Sequence, residues 1–168
     1  LTDSPEIKEY INHIQKRMFQ AGAELASDAR GMEMLKDKIG EADIKYLENI
    51  IDKSTEVNGL MREFVVPGVN PSSAALHVSR TIVRRAERIM TALAKQVPVR
   101  EELRKYINRL SDACFAMARL EEARAKDQEI EELKDTVRQV VETLGSMRKE
   151  ENSMDMSMET VSYTHLTL

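Results

Sequence analysis

The chain has 168 residues, a formal net charge of −4, 4% aromatic residues and no Trp, and its Leu, Ile, Val, Ala and Met must build the core. That length fits one domain burying about two-thirds of its unfolded surface, and few Gly and Pro favour helices over sheet. An acidic chain of mixed charge argues against general nucleic-acid binding, the single Cys114 excludes an internal disulfide and fits a reducing compartment, and no apolar run is long enough for a bilayer, so a cytoplasmic protein with no membrane or nucleic-acid partner is expected.

Leu1 is not an initiator Met, and the chain is read as starting inside a longer or processed protein. Asp3-Ser4-Pro5-Glu6 is a helix start: a capping side chain, an early proline and an acid in the first turn. Ile7, Ile11, Ile14, Met18, Ala21 and Leu25 recur at spacings of three and four, which predicts a first helix to about Ser27. Asp28 to Gly40 reads as a connection punctuated by Gly31 and Gly40, with room for one turn of helix. Glu41 to about Met61 reads as a second helix with Ile44, Leu47, Ile50 and Ile51 inward.

A short extended piece, Phe64-Val65-Val66, leads into a Pro67-Gly68 turn, with Phe64 as its hydrophobic anchor. The third helix takes Asn70 or Ser72 as its cap and runs to about Gln96. At 100° per residue, His77, Arg80, Thr81, Arg84, Arg85 and Arg88 fall on one side. Ala75, Val78, Ile82, Val83, Ala86, Ile89, Met90 and Leu93 fall on the other, the side expected to be buried. Pro98 ends the connection, and a fourth helix from near Arg100 buries Leu103, Ile107, Leu110, Cys114 and Met117. The fold class is all-α: an antiparallel four- or five-helix bundle over residues 1–124. Ile130, Leu133, Val137, Val140, Leu144 and Met147 then keep a seven-residue repeat for under three heptads, giving a coiled-coil-like helical extension over 125–150, weakened by Gly145. Residues 151–168 read as a disordered tail, and Ser162–Leu168, without periodicity, as partly non-native sequence.

Most catalytic chemistries lack their residues. There is no Glu-x-x-His pair for a di-iron bundle. His13, His77 and His165 have no partners at metal-ligand spacing, so no metal-ligand set is expected. No Gly-rich phosphate loop is visible, and no Ser-His-Asp or Cys-His set follows from spacing. Cys114, on an apolar stripe, reads as a buried inert thiol. The arginine face has two readings, a solvated surface or an anion site. Arginine rather than lysine suits bidentate phosphate binding, and the face follows a turn at a helix N-terminus, where free N–H groups favour anions. Glu87, three residues after Arg84 and seven after Arg80, is placed to hold their side chains. His77 reads as a surface or interface histidine. Asn108-Arg109-Leu110-Ser111-Asp112 is either a structural polar cluster or a ligand contact.

These blocks together resemble one family. Phe64-x-x-Pro67-Gly68, Ala74-Ala75-Leu76-His77-x-x-Arg80, Arg84-Arg85-Ala86-Glu87-Arg88 and Tyr106-x-Asn108-Arg109-Leu110-Ser111-Asp112 look like the ATP:corrinoid adenosyltransferases of the propanediol-utilisation type. Ile14-Gln15, Gly22-Ala23-Glu24-Leu25-Ala26 and Tyr46-Leu47-Glu48 fit the same pattern, and the likeness runs from about Ile7 to Arg119. The resemblance implies a homotrimer of helical bundles with active sites between subunits. It implies transfer of the 5′-deoxyadenosyl group of ATP to cob(I)alamin, with Mg²⁺ present and triphosphate released. By position, Arg80, Arg84, Arg85, Glu87 and Arg88 fall in the ATP-binding helix, with Arg84 and Arg80 as the catalytic pair. Asn108 falls at a nucleotide contact and Phe64 at the lower face of the corrin. Val69-Asn70 replaces the family's second Gly, which puts the loop's backbone freedom in question. The family's Gly- and Thr-rich phosphate loop and an early acidic partner of the first arginine have no counterpart, so this stretch alone is expected to be inactive. The alternative is a non-enzymatic oligomerisation or scaffold protein with an anion-binding arginine face.

Overall fold

The computed structural model describes residues 2–60 and 64–164, with side chains described through Glu150. His165 and the expected end of the second helix at Met61 lie outside the described residues. Among the described residues there are five helices: α1 (Pro5–Ala26), α2 (Ala29–Met34), α3 (Glu41–Asn58), α4 (Pro71–Leu93) and α5 (Glu101–Thr164). No strand occurs among the described residues.

The helix starts follow from their caps. The Ser4 hydroxyl accepts from the Ile7 N–H at 3.3 Å, with Pro5 in the first turn, where a missing N–H costs nothing. Asp28 caps the short α2 by accepting from the Gly31 N–H at 2.7 Å. Asn70 rather than Ser72 caps α4: its Oδ1 accepts from the Ser73 N–H at 2.8 Å, and the Ser73 hydroxyl accepts from the Asn70 N–H at 3.3 Å.

Leu1–Ala125 forms one compact unit and Lys126–Leu168 another. The core of the first gathers Ile7, Ile14 and Ala21 of α1, Ile44, Leu47 and Ile50 of α3, and Leu76 and Met90 of α4 around α5. From α5 come Leu103, Tyr106, Ile107, Leu110, Ala113, Cys114 and Met117, all buried. Each fully buried Leu or Ile contributes about 1.5–3 kcal/mol by leaving water, which is why this stripe of α5 is the axis of the bundle. Ionic ties join the connections to it. Buried Glu24 accepts from the Ile39 N–H and pairs with Arg100 at 2.9 Å. Arg17 reaches Asp37 at 2.6 Å, Asp43 at 2.7 Å and the Lys38 carbonyl at 3.1 Å.

Cys114 is buried, and loss of solvation pushes its thiol up from 9.0 to about 11. The folded chain therefore favours the protonated thiol. That stability is complete below the unfolded value and is lost as pH rises from about 9 towards about 11. Iodoacetamide at pH 8 is expected to leave Cys114 unmodified in the native chain and to alkylate it fully in denaturant, read by intact mass. Native-state alkylation at the denatured rate would contradict the burial.

Helix α4 departs from the two-faced reading. Its buried face carries Ser72, Ser73, Leu76 and Met90, with Arg80, Val83 and Glu87 half-buried alongside. Val78, Ile82 and Ile89, placed by periodicity on the buried side, are exposed at 59%, 57% and 63%. At 100° per residue the buried face centres between Ser72 and Ser73, and the exposed apolar stripe lies well over a third of a turn away. Periodicity identified the apolar residues correctly but assigned them to the wrong neighbour. Ser73 is held by the Asn70 cap, Arg80 lies against Phe115 of α5 and Glu87 accepts from Asn108 of α5, so α4 has three faces rather than two.

Helix α5 continues to Thr164, through the stretch read as a disordered tail. No Pro occurs after Pro98 and no Gly after Gly145, while Glu, Lys and Met are good helix formers. In Lys126–Leu168, Ile130, Leu133, Val137, Val140, Leu144 and Met147 are all exposed.

Candidate functional site

The site is built where α4 runs past the first half of α5. Asn108 projects from α5 and its Nδ2 donates to Glu87 Oε1 on α4 at 2.8 Å. This bond joins two residues singled out from separate sequence blocks. It also corrects the expected role of Glu87, whose carboxylate is engaged by Asn108 rather than by Arg80 or Arg84. A groove of about 410 Å³ opens beside it, lined by Glu87, Met90, Thr91, Glu101, Arg104, Lys105 and Asn108. Lys105 lies 3.1 Å from Glu101, whose hydrogen bond raises the ammonium above its usual range.

The arginines divide by environment. Arg84, Arg85 and Arg88 are exposed and make no salt bridge among the described residues. Their guanidinium groups, each with five donors in a fixed fork, are open to an oxyanion ligand. Arg80 is different. It is half-buried, its guanidinium carbon sits 4.7 Å from the centre of the Phe115 ring, and its buried Nε has no hydrogen-bond partner among the described residues. A cation over a ring face is attracted by the ring's quadrupole, which holds the charge in place while leaving a donor unused.

His77, one turn earlier, packs against the same Phe115 ring at 5.8 Å and places Nε2 3.5 Å from buried Glu122, which also meets Arg119 at 3.3 Å. It is thus an internal helix-to-helix contact. Phe64 is fully exposed, at 105%, so it does not anchor the loop. The turn beneath it depends on Gly68, whose φ of 92° is the left-handed region that a side chain resists. No described non-glycine residue has positive φ, so Val69 occupies its position without needing the freedom of a second glycine. Arg109 spends its charge on Glu48 at 3.2 Å and Asp112 at 3.4 Å, and Tyr106 and Ser111 are buried, so that part of the block is structural. A separate cavity of about 290 Å³ between α1, α4 and α5, bordered by Ile14, Met18, Val83 and Met117, has no charged lining residue and does not suit a polyphosphate.

Arg104 and Lys105 were not anticipated. They lie four and three residues before Asn108 on α5, the helical spacing that puts them on its side, so the signal was present. Glu24, Arg17 and Glu122 gave no local signal, because Ile39, Arg100, Asp37, Asp43 and His77, which they meet, are distant in sequence.

The family model described as cobalamin adenosyltransferase matches residues 1–121. The chain belongs to this family. A corrinoid adenosyltransferase of Citrobacter freundii is 50% identical over 121 residues, covering 72% of this chain and 69% of that protein. The corrinoid adenosyltransferase PduO of Salmonella typhimurium is 39% identical over 115 residues, 68% of this chain and 34% of its own length. Among solved structures, a variant PduO-type ATP:corrinoid adenosyltransferase from Lactobacillus reuteri complexed with cobalamin and ATP superposes with a TM-score of 0.64 at 33% identity, covering 71% of this chain and 66% of that one. A second variant from that organism, complexed with ATP, gives 0.61 at 35% identity over 67% of this chain and 62% of that one. The chain thus spans about a third of the PduO protein and under two-thirds of the second structure. The cobalamin adenosyltransferase match ends at residue 121, before the second compact unit begins at Lys126.

Proposed function

We propose that residues 1–124 are a corrinoid adenosyltransferase domain that transfers the 5′-deoxyadenosyl group of ATP to the cobalt of cob(I)alamin, and that 125–150 form a helical extension. Membership of the family, together with solved relatives whose complexes hold ATP and cobalamin, supports the substrates. The observation that carries the reading is the open row Arg84, Arg85 and Arg88 beside the Glu87–Asn108 hydrogen bond. In the reaction the cobalt–C5′ bond forms as the C5′–O bond breaks, and the triphosphate departs with the electron pair. The cobalt of the substrate is the nucleophile, so no Ser, Cys or His is required. Negative charge grows on the leaving phosphate, and guanidinium groups fixed on a rigid helix stabilise it more in the transition state than in bound ATP.

Arg84 and Arg80 take the catalytic roles, Arg85 and Arg88 bind phosphate, and Glu87 orients Asn108 towards the nucleotide. Phe64, fully exposed on a turn held by Gly68, offers its ring to the lower face of the corrin. Mg²⁺ is proposed as a companion of the triphosphate. Among the described residues no three His, Cys, Asp or Glu side chains converge on a metal position, so they build no cage for it, and no step is assigned to the ion.

A homotrimer with sites between subunits is the proposed assembly. The exposed stripe Val78, Ile82 and Ile89 supports it. No described helix is long and apolar enough to cross a membrane, and the cytoplasm is the proposed compartment. Family membership disfavours the scaffold reading. The test is full-length protein with ATP, Mg²⁺ and chemically reduced cobalamin, followed by visible spectroscopy. Conversion to the adenosylcobalamin spectrum is expected. A folded protein that binds ATP and leaves the spectrum unchanged would sink the proposal.

A further inference from the structure

The segment of α5 beyond the family match is continuous helix whose apolar residues have nothing to cover them among the described residues. Ile130, Val137 and Leu144 are seven apart, and Leu133, Val140 and Met147 follow each by three. In heptad terms these are successive a and d positions, the alternation of three and four that keeps a seam facing a partner helix. All six are exposed, between 49% and 60%. We propose that residues 129–150 pair in parallel and in register with the same segment of a second copy of this chain.

The flanking residues argue for that partner and that direction. Glu129, Thr136, Thr143 and Glu150 occupy the g positions, and Lys134, Val141 and Arg148 the e positions. In a parallel pair each g residue meets the e residue five further along the partner. Glu129 then faces Lys134 of the other copy, Thr136 covers the exposed Val141, and Thr143 faces Arg148 without repulsion. An antiparallel pair brings g beside g and sets Glu129 against Glu150, two like charges. The self-complementary edge makes a second copy the occupant. Among the described residues Lys134 bonds Glu131 of its own helix, at 2.6 Å and exposed, a contact that costs little to exchange. Ile130 and Val137 at a with Leu133 at d are the combination that favours two strands in a parallel seam. The seam is short, but the helix carrying it is already nucleated by packed turns upstream. The pairing does not depend on the enzymatic reading, and it is a contact separate from the proposed homotrimer, which is assigned to the exposed α4 stripe.

The experiment uses the whole chain with one cysteine added to each protein, native Cys114 being buried. Ile130→Cys and Met147→Cys proteins are each oxidised with copper-phenanthroline and run on a non-reducing gel. Each is expected to give at least tenfold more covalent dimer than the parent chain, and than Arg138→Cys on the outer face. Because positions 130 and 147 lie about 25 Å apart along a helix, only an antiparallel pair joins Ile130→Cys to Met147→Cys in a mixture of one tagged and one untagged protein. A mixed dimer exceeding both self-dimers would overturn the parallel arrangement. Dimer no more abundant than with Arg138→Cys would overturn the pairing itself. Lys134→Glu, which sets like charges at g and e, is expected to cut the Ile130→Cys dimer several-fold at low salt.

Discussion

Arg84→Ala is expected to lose about ten- to a hundredfold in the rate of adenosylcobalamin formation while melting with the parent protein. The rate follows from what the side chain would do: a hydrogen bond to a charged group is worth about 1.5–3 kcal/mol, and each 1.4 kcal/mol is about tenfold in rate. The unchanged melt follows from where the side chain is. Arg84 is exposed on α4 and makes no salt bridge among the described residues, so its removal leaves no cavity and no orphaned partner. Rate and melting temperature together decide the matter. A large fall in melting temperature would make the arginine structural, and an unchanged rate would return it to the solvated face that composition alone allows. Arg84→Lys sharpens the test. It keeps the charge but not the planar fork, and most of the loss should remain if bidentate contact with phosphate is what matters.

Glu24→Ala is expected to cost about 2–4 kcal/mol of stability, which for a domain of this size lowers the melting temperature by roughly 5–15 °C. The side chain is 1% exposed, it accepts from the Ile39 N–H, and it pairs with Arg100 at 2.9 Å. Its loss orphans a buried donor, which alone costs about 1–3 kcal/mol. Arg100 is a third exposed and can turn to water or to Glu102 at 3.4 Å, so the pair adds less than a fully buried one. Glu24→Gln keeps an acceptor for the Ile39 N–H and should fall between parent and alanine. Calorimetry on the three proteins checks this. Equal melts for all three would mean that water replaces the carboxylate at no cost, and the tie would be incidental.

The bundle was legible because its signals are local. Ser4 before Pro5, Asn70 before Pro71 and the apolar spacing of α1, α3 and α5 each act within a turn or two, and periodicity reads such patterns directly. The candidate site was half legible. The blocks holding Arg84 to Arg88 and Asn108 were found, but their connection was not, because the Glu87–Asn108 bond spans 21 residues and competes with arginines much nearer in sequence. The faces of α4 were misassigned for a related reason. Periodicity tells which residues share a side and not which neighbour that side meets. Arg80 and Glu87 face α5 despite their polarity because Phe115 and Asn108 receive them, and Ser73 is buried because the Asn70 cap receives it. The loop anchor assigned to Phe64 failed because a large apolar residue was assumed to bury itself.

The three faces of α4 restrict how this helix can change. Packing uses Leu76 and Met90, the open guanidinium groups sit at Arg84, Arg85 and Arg88, and the uncovered stripe holds Val78, Ile82 and Ile89. Substitutions can alter one of these at a time. A one-residue insertion or deletion near the middle of the helix cannot, because it rotates everything beyond it by about 100°. An insertion would swing apolar stripe residues towards the core, core residues towards water and arginines towards the stripe, whereas a deletion would swing the arginines towards the core. Single-residue length changes in α4 should therefore be far less tolerated than point changes at the same positions, even where the inserted residue is alanine.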